Sequence, residues 1–252
     1  ADFDYNSETH AYTLKSGVVN SRIVLGTLPG ITAGCYPGML KLKKLGSANN
    51  PNEINDVDDV TVIGNVNPKH TGGLNLNAAY KGLDMLLAFN WSYGNDIYNY
   101  DKLENTIGNK LHFRNFTDAN ANWYHIFKVD GSGNLVRVFD PAELDALNTN
   151  TATYYPFHEM ATIHSGYIED GSFLRLNNVT LGYTLPSTLT RKVAIQRLRF
   201  YTTIYNAMLF TNYSGLDPEV DTRTSGTYPF PGMDSGAYPR ARTFTFGVNV
   251  SF

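Results

Sequence analysis

Residues 243–252 read TFTFGVNVSF, and this stretch decides the fold. Apolar and small polar residues alternate along it without a break, which predicts a β-strand with one apolar and one polar face: Phe244, Phe246, Val248, Val250 and Phe252 against Thr243, Thr245, Gly247, Asn249 and Ser251. A tilted strand of this length crosses a bilayer. Because the polar face is uncharged and the stretch ends on an aromatic residue, the pattern favours a lipid-facing barrel strand over a strand of a soluble sheet.

The composition is consistent with a protein built from many such strands. The 252 residues include 17 Tyr and 14 Phe, and 17% are charged, as alternating strands with aromatic ends require. Lys plus Arg is 20 against 23 Asp plus Glu, without a basic block, so we expect no nucleic-acid partner. No apolar run reaches about 18 residues, which excludes a transmembrane helix but not a transmembrane barrel.

The clearest hairpin covers residues 74–91. Apolar residues alternate with polar ones on both sides of the tight turn Lys81-Gly82. Aromatic residues mark its two ends, as expected where strands meet membrane interfaces: Tyr80 beside the turn, and Trp91, Tyr93 and Tyr98 at the far end. The same alternation predicts strands within 173–184 and from 197, and weaker patterns indicate strands over 9–14 and 22–27.

The connections between these strands alternate in length. The connections at 81–82 and 185–196 are short, whereas those at 94–171 and 212–240 are long, and residues 28–70 are also loop-like. An outer-membrane barrel has short periplasmic turns and long extracellular loops. We therefore expect extracellular loops near 28–70, 94–171 and 212–240, with a small hairpin around residues 130–134.

The sequence contains no recognisable catalytic motif. It contains no HExxH, GxSxG, P-loop or CxxC motif, so we expect a protein that is not an enzyme and has neither cofactor nor metal. Asn55, Asp56, Asp58 and Asp59 resemble a calcium loop but lack its glycine and terminal glutamate, which favours an acidic surface turn. The carboxylates at 217, 219 and 221 fit a cation, a sugar hydroxyl or plain solvation.

Several motifs together resemble the C-terminal part of the SusC/RagA-type TonB-dependent transporters. They are FLRLNNVTLGYTLP from 173, LRFYTTIYNAMLFTNYSGLDPEVD from 198 and YPRARTFTFGVNVSF from 238, preceded in the same order by PGMLKL, DDVTVIGNVNPKHTGGLNLNAAYKG and FNWSYGNDIYN. The motifs cover most of the chain from Pro37 onward. The acidic segment 49–59 departs from the family, in which this region is richer in Asp and Gly.

The resemblance implies an all-β fold, an antiparallel transmembrane β-barrel of about 22 strands of which this chain is a C-terminal portion. It implies TonB-dependent import of oligosaccharides or peptides across the outer membrane of a Gram-negative bacterium, with a SusD-like surface lipoprotein as partner. TonB would act through an N-terminal region that includes a plug. A passive porin and a soluble carbohydrate-binding β-sandwich remain alternatives.

Two sets of residues follow as candidates for function. Substrate or partner contacts are expected from the two long loops, at Trp123, Tyr124, Asp217, Glu219, Asp221 and Tyr228. Polar residues facing the lumen are expected at Asn75, Asn77, Asn178, Thr180 and Asn249, which could equally be inert wall or plug contacts.

Overall fold

The computed structural model describes residues 2–19, 36–46, 54, 59–106, 121–155, 164–220 and 231–252. These residues fold into two compact units. The first unit comprises the chain up to Ile63 together with Asp101–His164, and the second comprises Gly64–Tyr100 and Ser165–Phe252. The predicted strand at 22–27 lies outside the described residues.

The second unit is dominated by a five-stranded antiparallel sheet. Its strands are β3 (His70–Tyr80), β4 (Leu83–Tyr93), β9 (Phe173–Thr184), β10 (Arg197–Thr211) and β12 (Thr243–Ser251). Their order across the sheet, β12-β10-β9-β4-β3, is also their order along the chain. The five strands predicted from alternation are therefore confirmed, and they form one continuous meander.

Because neighbouring strands run antiparallel in chain order, all connections leave the sheet at one of two borders, each formed by the ends of the five strands. We call these borders edges, as distinct from the outer strands β3 and β12. The short connections 81–82 and 185–196 meet at one edge, which we call the short-connection edge. The long connections leave from the other, the long-connection edge. At the latter, β5 (Asp96–Asn99) lies between β8 (Ile168–Asp170), which is antiparallel to it, and β11 (Met233–Asp234), which is parallel.

The turn of the first hairpin has the geometry predicted from its sequence. Tyr80 pairs with Leu83, and both intervening residues have positive φ, 48° at Lys81 and 88° at Gly82. Two positive φ values are the mark of a two-residue hairpin turn that matches strand twist. Glycine is also required by packing, since a Cβ at position 82 would lie 2.6 Å from the carbonyl oxygen of Thr184.

One irregularity in the sheet was not predicted. The register between β9 and β10 shifts between Tyr205 and Met208, and that between β4 and β9 shifts at Ala88/Phe89. Opposite β4 the extra residue is Asn177, whereas opposite β10 two residues, Asn206 and Ala207, fall against Asn177. Each shift is a β-bulge. As a result, Leu174 and Leu176 share a face with Val179, although they differ from it in parity.

The first unit is built from small elements around aromatic side chains. It contains β1 (Phe3–Asn6) paired with β2 (Ala11–Leu14), β6 (Phe127–Val129) paired with β7 (Leu135–Arg137), and α2 (Pro141–Leu147). One cluster is formed by Tyr12, Val138 and Leu144, and another by Tyr36, Ile126 and Tyr155. Burial raises the pKa of Tyr12 to about 12, while its hydroxyl donates to the carbonyl of Phe139.

The insert at 94–171 is more structured than the sequence indicated. The hairpin predicted at 130–134 is confirmed by β6 and β7, and backbone N–H groups of Asn134 and Ser132 hold the pKa of Asp130 below its usual value. The prediction of an otherwise irregular loop is wrong, because the insert also contains α1 (Tyr100–Thr106), α2, β5 and β8. Within the described ranges, no helix is long and apolar enough to cross a membrane.

Candidate functional site: the polar face of the sheet and its long-connection edge

The five-stranded sheet has one apolar face that extends across all its strands, from β3 to β12. Cross-strand pairing aligns apolar residues in rows, for example Phe244, Ile204, Val179, Leu87 and Leu76. The outer residues of this row are exposed, Phe244 to 58% and Leu76 to 45%, and the three between them are half-buried. On the same face Phe246 is 78% exposed. Soluble monomers rarely expose an apolar surface that runs across five strands.

The opposite face of the sheet contains the polar residues that the alternation in the sequence predicted for it. Register places five polar side chains there together: Asn75, Asn77, Asn178, Thr180 and Asn249. Thr180 and Thr203 share a hydrogen bond of 2.9 Å between their hydroxyls. The structure thus brings the predicted lumen set to one face, and its exposure to a lumen stays a prediction.

An ion pair crosses the polar face near the short-connection edge. Arg199 on β10 donates from Nε to Oδ1 of Asp84 on β4 over 2.9 Å, and its Nη2 donates to Oδ2. The pair reaches over β9 at Gly182, where a Cβ would collide with both side chains. The arginine also lies 5.0 Å from the ring centroid of Tyr201.

A second cluster of charges lies at the long-connection edge. Arg175 on β9 is 3% exposed and its Nη2 donates to Oδ1 of Asp217 over 2.5 Å. Its Nε lies 2.8 Å from Oε2 of Glu219, which is also 3.2 Å from Nη1 of Arg240. Because Asp217 is 4% exposed, the solvated interpretation of this carboxylate is wrong.

The chain around these charges is fixed by further hydrogen bonds. Asp217 accepts from the backbone N–H of Glu219 over 2.9 Å, while Glu169 accepts from both the N–H and the hydroxyl of Ser214 over 2.8 Å each. Residues 212–220 are therefore held to the edge of the sheet by the buried Arg175–Asp217 pair and by the more exposed contacts of Ser214 with Glu169.

Hydrogen bonds also link the two ends of the long connection 212–240. The hydroxyl of Tyr213 donates to the buried Asp234 over 2.6 Å. The other oxygen of Asp234 accepts from the N–H groups of Gly236 and Ala237 over 3.1 and 3.0 Å. The chain before β12 is thereby anchored to the segment that follows β10.

A cavity of about 560 Å³ opens beside this cluster. Thr71, Asn90 and Ser92 contribute to its lining from the sheet, and Phe173 and Glu219 from the edge. The cavity combines amide, hydroxyl and carboxylate groups with two aromatic rings, those of Trp91 and Phe173. Such a lining suits a polar ligand that is also partly apolar, because hydrogen-bonding groups fix its orientation and the rings supply contact area.

Trp123 and Tyr124 lie in the first unit as packing residues. The Trp123 ring stacks on Tyr155, with centroids 5.6 Å apart and planes within 6°. Tyr124 packs against both aromatic clusters, and burial raises the pKa of its hydroxyl. Both rings are half-buried, so much of their surface is committed to the interior of the unit.

Of the remaining predicted contact residues and of the predicted acidic turn, the structure describes only some. Asp221 and Tyr228 lie outside the described residues, as do Asn55, Asp56 and Asp58. Asp59 is described, and the surface turn expected there is wrong for this residue: its side chain is 2% exposed and accepts from Nζ of Lys44 and from the N–H of Leu45, each over 2.7 Å. In the described part of the chain, no group of three or more acidic, His or Cys side chains is arranged to hold a metal.

Arg175, Tyr213 and Asp234 were missed by sequence reasoning. Arg175 had a usable signal, as a charged residue within a strand otherwise free of charge. Such a residue needs a partner when it is buried, and the acidic stretch at 217–221 supplied candidates. Tyr213 and Asp234 gave no comparable signal, because Tyr and Asp are common throughout the loops.

A meander with an exposed apolar face and a polar face opposite defines the wall of an antiparallel transmembrane β-barrel. Comparison with known proteins agrees. The chain is 34% identical over 197 residues, 77% of its length, to the TonB-dependent receptor P3 of Formosa agariphila. It is 30% identical over 183 residues, 71% of its length, to the TonB-dependent receptor SusC of Bacteroides thetaiotaomicron.

Among solved structures, the RagAB peptide transporter superposes with a TM-score of 0.56 at 25% identity, over 74% of this chain and 17% of that one. No family model matches the sequence. The chain belongs to the SusC/RagA-type TonB-dependent transporters, and it spans 17% of the length of receptor P3 and 15% of that of SusC.

Proposed function

We propose that this chain forms C-terminal barrel wall and extracellular loops of a TonB-dependent transporter that imports oligosaccharides or peptides across the outer membrane of a Gram-negative bacterium. The observation that carries the proposal is the two-faced five-stranded sheet, whose apolar face is exposed along every strand. Lipid is the solvent that such a face requires, and water in the lumen is the solvent that suits the polar face.

The names of the relatives support the transport part of the proposal. Two relatives are named as TonB-dependent receptors, and the solved RagAB complex is described as a peptide transporter. By analogy, the full-length protein would be energised through TonB and would work with a SusD-like surface lipoprotein. Its mechanism is translocation, in which no covalent bond is made or broken.

Within this function the two candidate sets have different roles. Asn75, Asn77, Asn178, Thr180 and Asn249 would present amides and hydroxyls to the lumen. Trp123, Tyr124, Asp221 and Tyr228 would contact the substrate or the partner from the long loops. Asp217 and Glu219 would act mainly by fixing residues 212–220 through Arg175, which would hold the loop in one position for binding.

Uptake by cells tests the energised mechanism. The full-length transporter that contains this chain is expressed in a strain lacking its native uptake systems, and entry of a labelled oligosaccharide or peptide is followed with and without TonB. We expect that loss of TonB, or collapse of the proton-motive force, abolishes uptake. Uptake that continues at the same rate would instead identify a passive porin and contradict the proposal.

A further inference from the structure

The two edges of the five-stranded sheet differ in charge. Carboxylates outnumber cations at the long-connection edge, where Arg175 and Arg240 are paired with acidic residues and Lys69 and Arg242 are exposed. The carboxylates there are Asp96, Glu169, Asp170, Asp217, Glu219 and Asp234. At the short-connection edge, the connection 185–196 contains Arg191 and Lys192 and no acidic residue, and the hairpin turn supplies Lys81. The nearby carboxylate is Asp84, which is already paired with Arg199.

Lys81, Arg191 and Lys192 are all exposed. Among the described residues, none of them takes part in an ion pair. Because no described carboxylate is paired with them, these three cations are available to an external anionic partner. Arg197 differs from the three, because its position in β10 shares the polar face with Arg199.

Lys81 lies on the apolar side of the edge. Its Nζ is 5.2 Å from the ring centroid of Tyr80, and Tyr80 belongs to the apolar face, in one row with Leu83 and Tyr183. Tyr80 is 69% exposed and Tyr183 41%. Aromatic rings at the end of an apolar face mark the level of the lipid headgroups, so the ammonium group is placed at headgroup depth.

The connection 185–196 has the same mixed character. Its apolar residues Leu189 and Val193 are 53% and 66% exposed, and they flank the basic pair Arg191 and Lys192. The pair lies in a short turn of helix after α3 (Ser187–Thr190). Exposed apolar residues beside basic ones are typical of segments that rest in a membrane interface.

We propose that the short-connection edge binds the headgroup phosphates of anionic phospholipids in the leaflet that it contacts, through Lys81, Arg191 and Lys192. This inference rests on the proposed function, because it requires the apolar face to stand in a bilayer. The attraction of basic side chains to an anionic surface is the physical basis. At the opposite edge carboxylates outnumber cations, so it would attract such lipids less, and the lipid preference of the sheet would lie mainly at the short-connection edge.

The test uses the full-length transporter in detergent micelles that contain phosphatidylglycerol and phosphatidylcholine in equal amounts, with bound lipids counted by native mass spectrometry. We expect wild-type protein to retain phosphatidylglycerol preferentially. Each basic residue near an anionic surface contributes about 1 kcal/mol, which is about five-fold in a binding constant. Replacing all three by Gln should therefore lower the preference by on the order of 100-fold at this site.

Two control variants separate charge from folding and from non-specific attraction. The charge-conserving variant Lys81→Arg/Arg191→Lys/Lys192→Arg should keep the preference. The double variant Lys69→Gln/Arg242→Gln removes two exposed cations near the long-connection edge and should also keep it, whereas the matched double variant Arg191→Gln/Lys192→Gln should reduce it.

Vesicle flotation distinguishes failure of this inference from failure of the proposed function. Flotation measures insertion into vesicles of either lipid, and mass spectrometry measures which lipid is retained. Wild-type protein that inserts into both kinds of vesicle but retains the two lipids equally would overturn the inference alone. An equal loss of preference in the Lys69→Gln/Arg242→Gln variant would also overturn it. Wild-type protein that inserts into neither kind of vesicle would overturn the barrel proposal as well.

Discussion

Arg175 and Asp217 form a buried ion pair in which each side chain depends on the other. Their side chains are 3% and 5% exposed, and the aspartate also fixes the N–H of Glu219. A buried pair adds little net stability, because desolvation offsets much of the attraction. Removing one partner is different, since the remaining charge then stays buried with less compensation; for Arg175 only the partly exposed Glu219 remains.

Asp217→Asn should therefore destabilise the protein strongly. The substitution keeps the shape of the side chain but removes the buried carboxylate at Nη2, so that Arg175 retains only Glu219, whose side chain is 25% exposed. Because this second carboxylate compensates part of the charge, we expect a cost of about 2–3 kcal/mol in the free energy of unfolding, below the roughly 3–5 kcal/mol of a fully uncompensated buried charge. Chemical denaturation of the purified full-length protein measures the change. Arg240→Gln is the control: its side chain is 47% exposed, and an exposed pair contributes about 0–1 kcal/mol. Equal effects of the two substitutions would contradict the buried pair.

Gly82 is the residue on which the first hairpin depends. Gly82→Ala should destabilise the protein by roughly 1–2 kcal/mol from the positive φ alone, with a further cost from the contact with the Thr184 carbonyl. Gly131→Ala is a matched control, because this glycine also lies in a hairpin turn but has open space around its Cβ position. Unfolding midpoints of the two variants that coincide would count against the turn geometry.

Sequence reasoning reached the strands but not the residues that tie them together. The polar face that holds Asn178 and Thr180 follows directly from a period of two. The partner of Arg175 could not be chosen in this way, because the pairing joins residues 42 apart along the chain and depends on how residues 212–220 fold back. The prediction that Asp59 lies in a surface turn failed for the same reason, since its ion pair with Lys44 is a tertiary contact.

At the level of elements, alternation was informative where the strands are long and two-faced. The same rule could not reveal the bulge at Asn177, because one unpaired residue shifts the parity without changing the composition. The short helices of the insert are also invisible to periodicity, since seven residues make only two turns. The capping signal of α2 was nevertheless present: Asp140 precedes Pro141, with Glu143 in the first turn.

Asp140 gives a test of this helix start. Its side chain accepts from the N–H of Glu143 over 3.0 Å, so Asp140→Ala should cost about 1 kcal/mol. Hydrogen exchange of the amides in α2 measures the local effect, which should appear as faster exchange in this helix and not in β9 or β10. Asp145→Ala, in the last part of the same helix, is the control and should leave these amides protected.

At the scale of the whole molecule, the sheet explains why so many apolar residues are exposed. Leu74, Leu181, Phe200 and Val248 are between 47% and 54% exposed, and all lie on the face opposite the Asn and Thr residues. A barrel wall resolves this, because it has lipid on one side and water on the other. Under the lipid preference proposed above, the charge difference between the two edges would give the wall a direction across the membrane.

The alternation in β12 tests the central claim most directly. Single cysteines are placed at each of residues 244–250 of the full-length protein, with Cys35→Ser as background, and are spin-labelled in vesicles. The account predicts that collisions with oxygen peak at Phe244, Phe246, Val248 and Val250, while collisions with a water-soluble nickel complex peak at Thr245 and Asn249. Water accessibility at the apolar positions, or no period of two, would contradict a strand that separates lipid from an aqueous lumen.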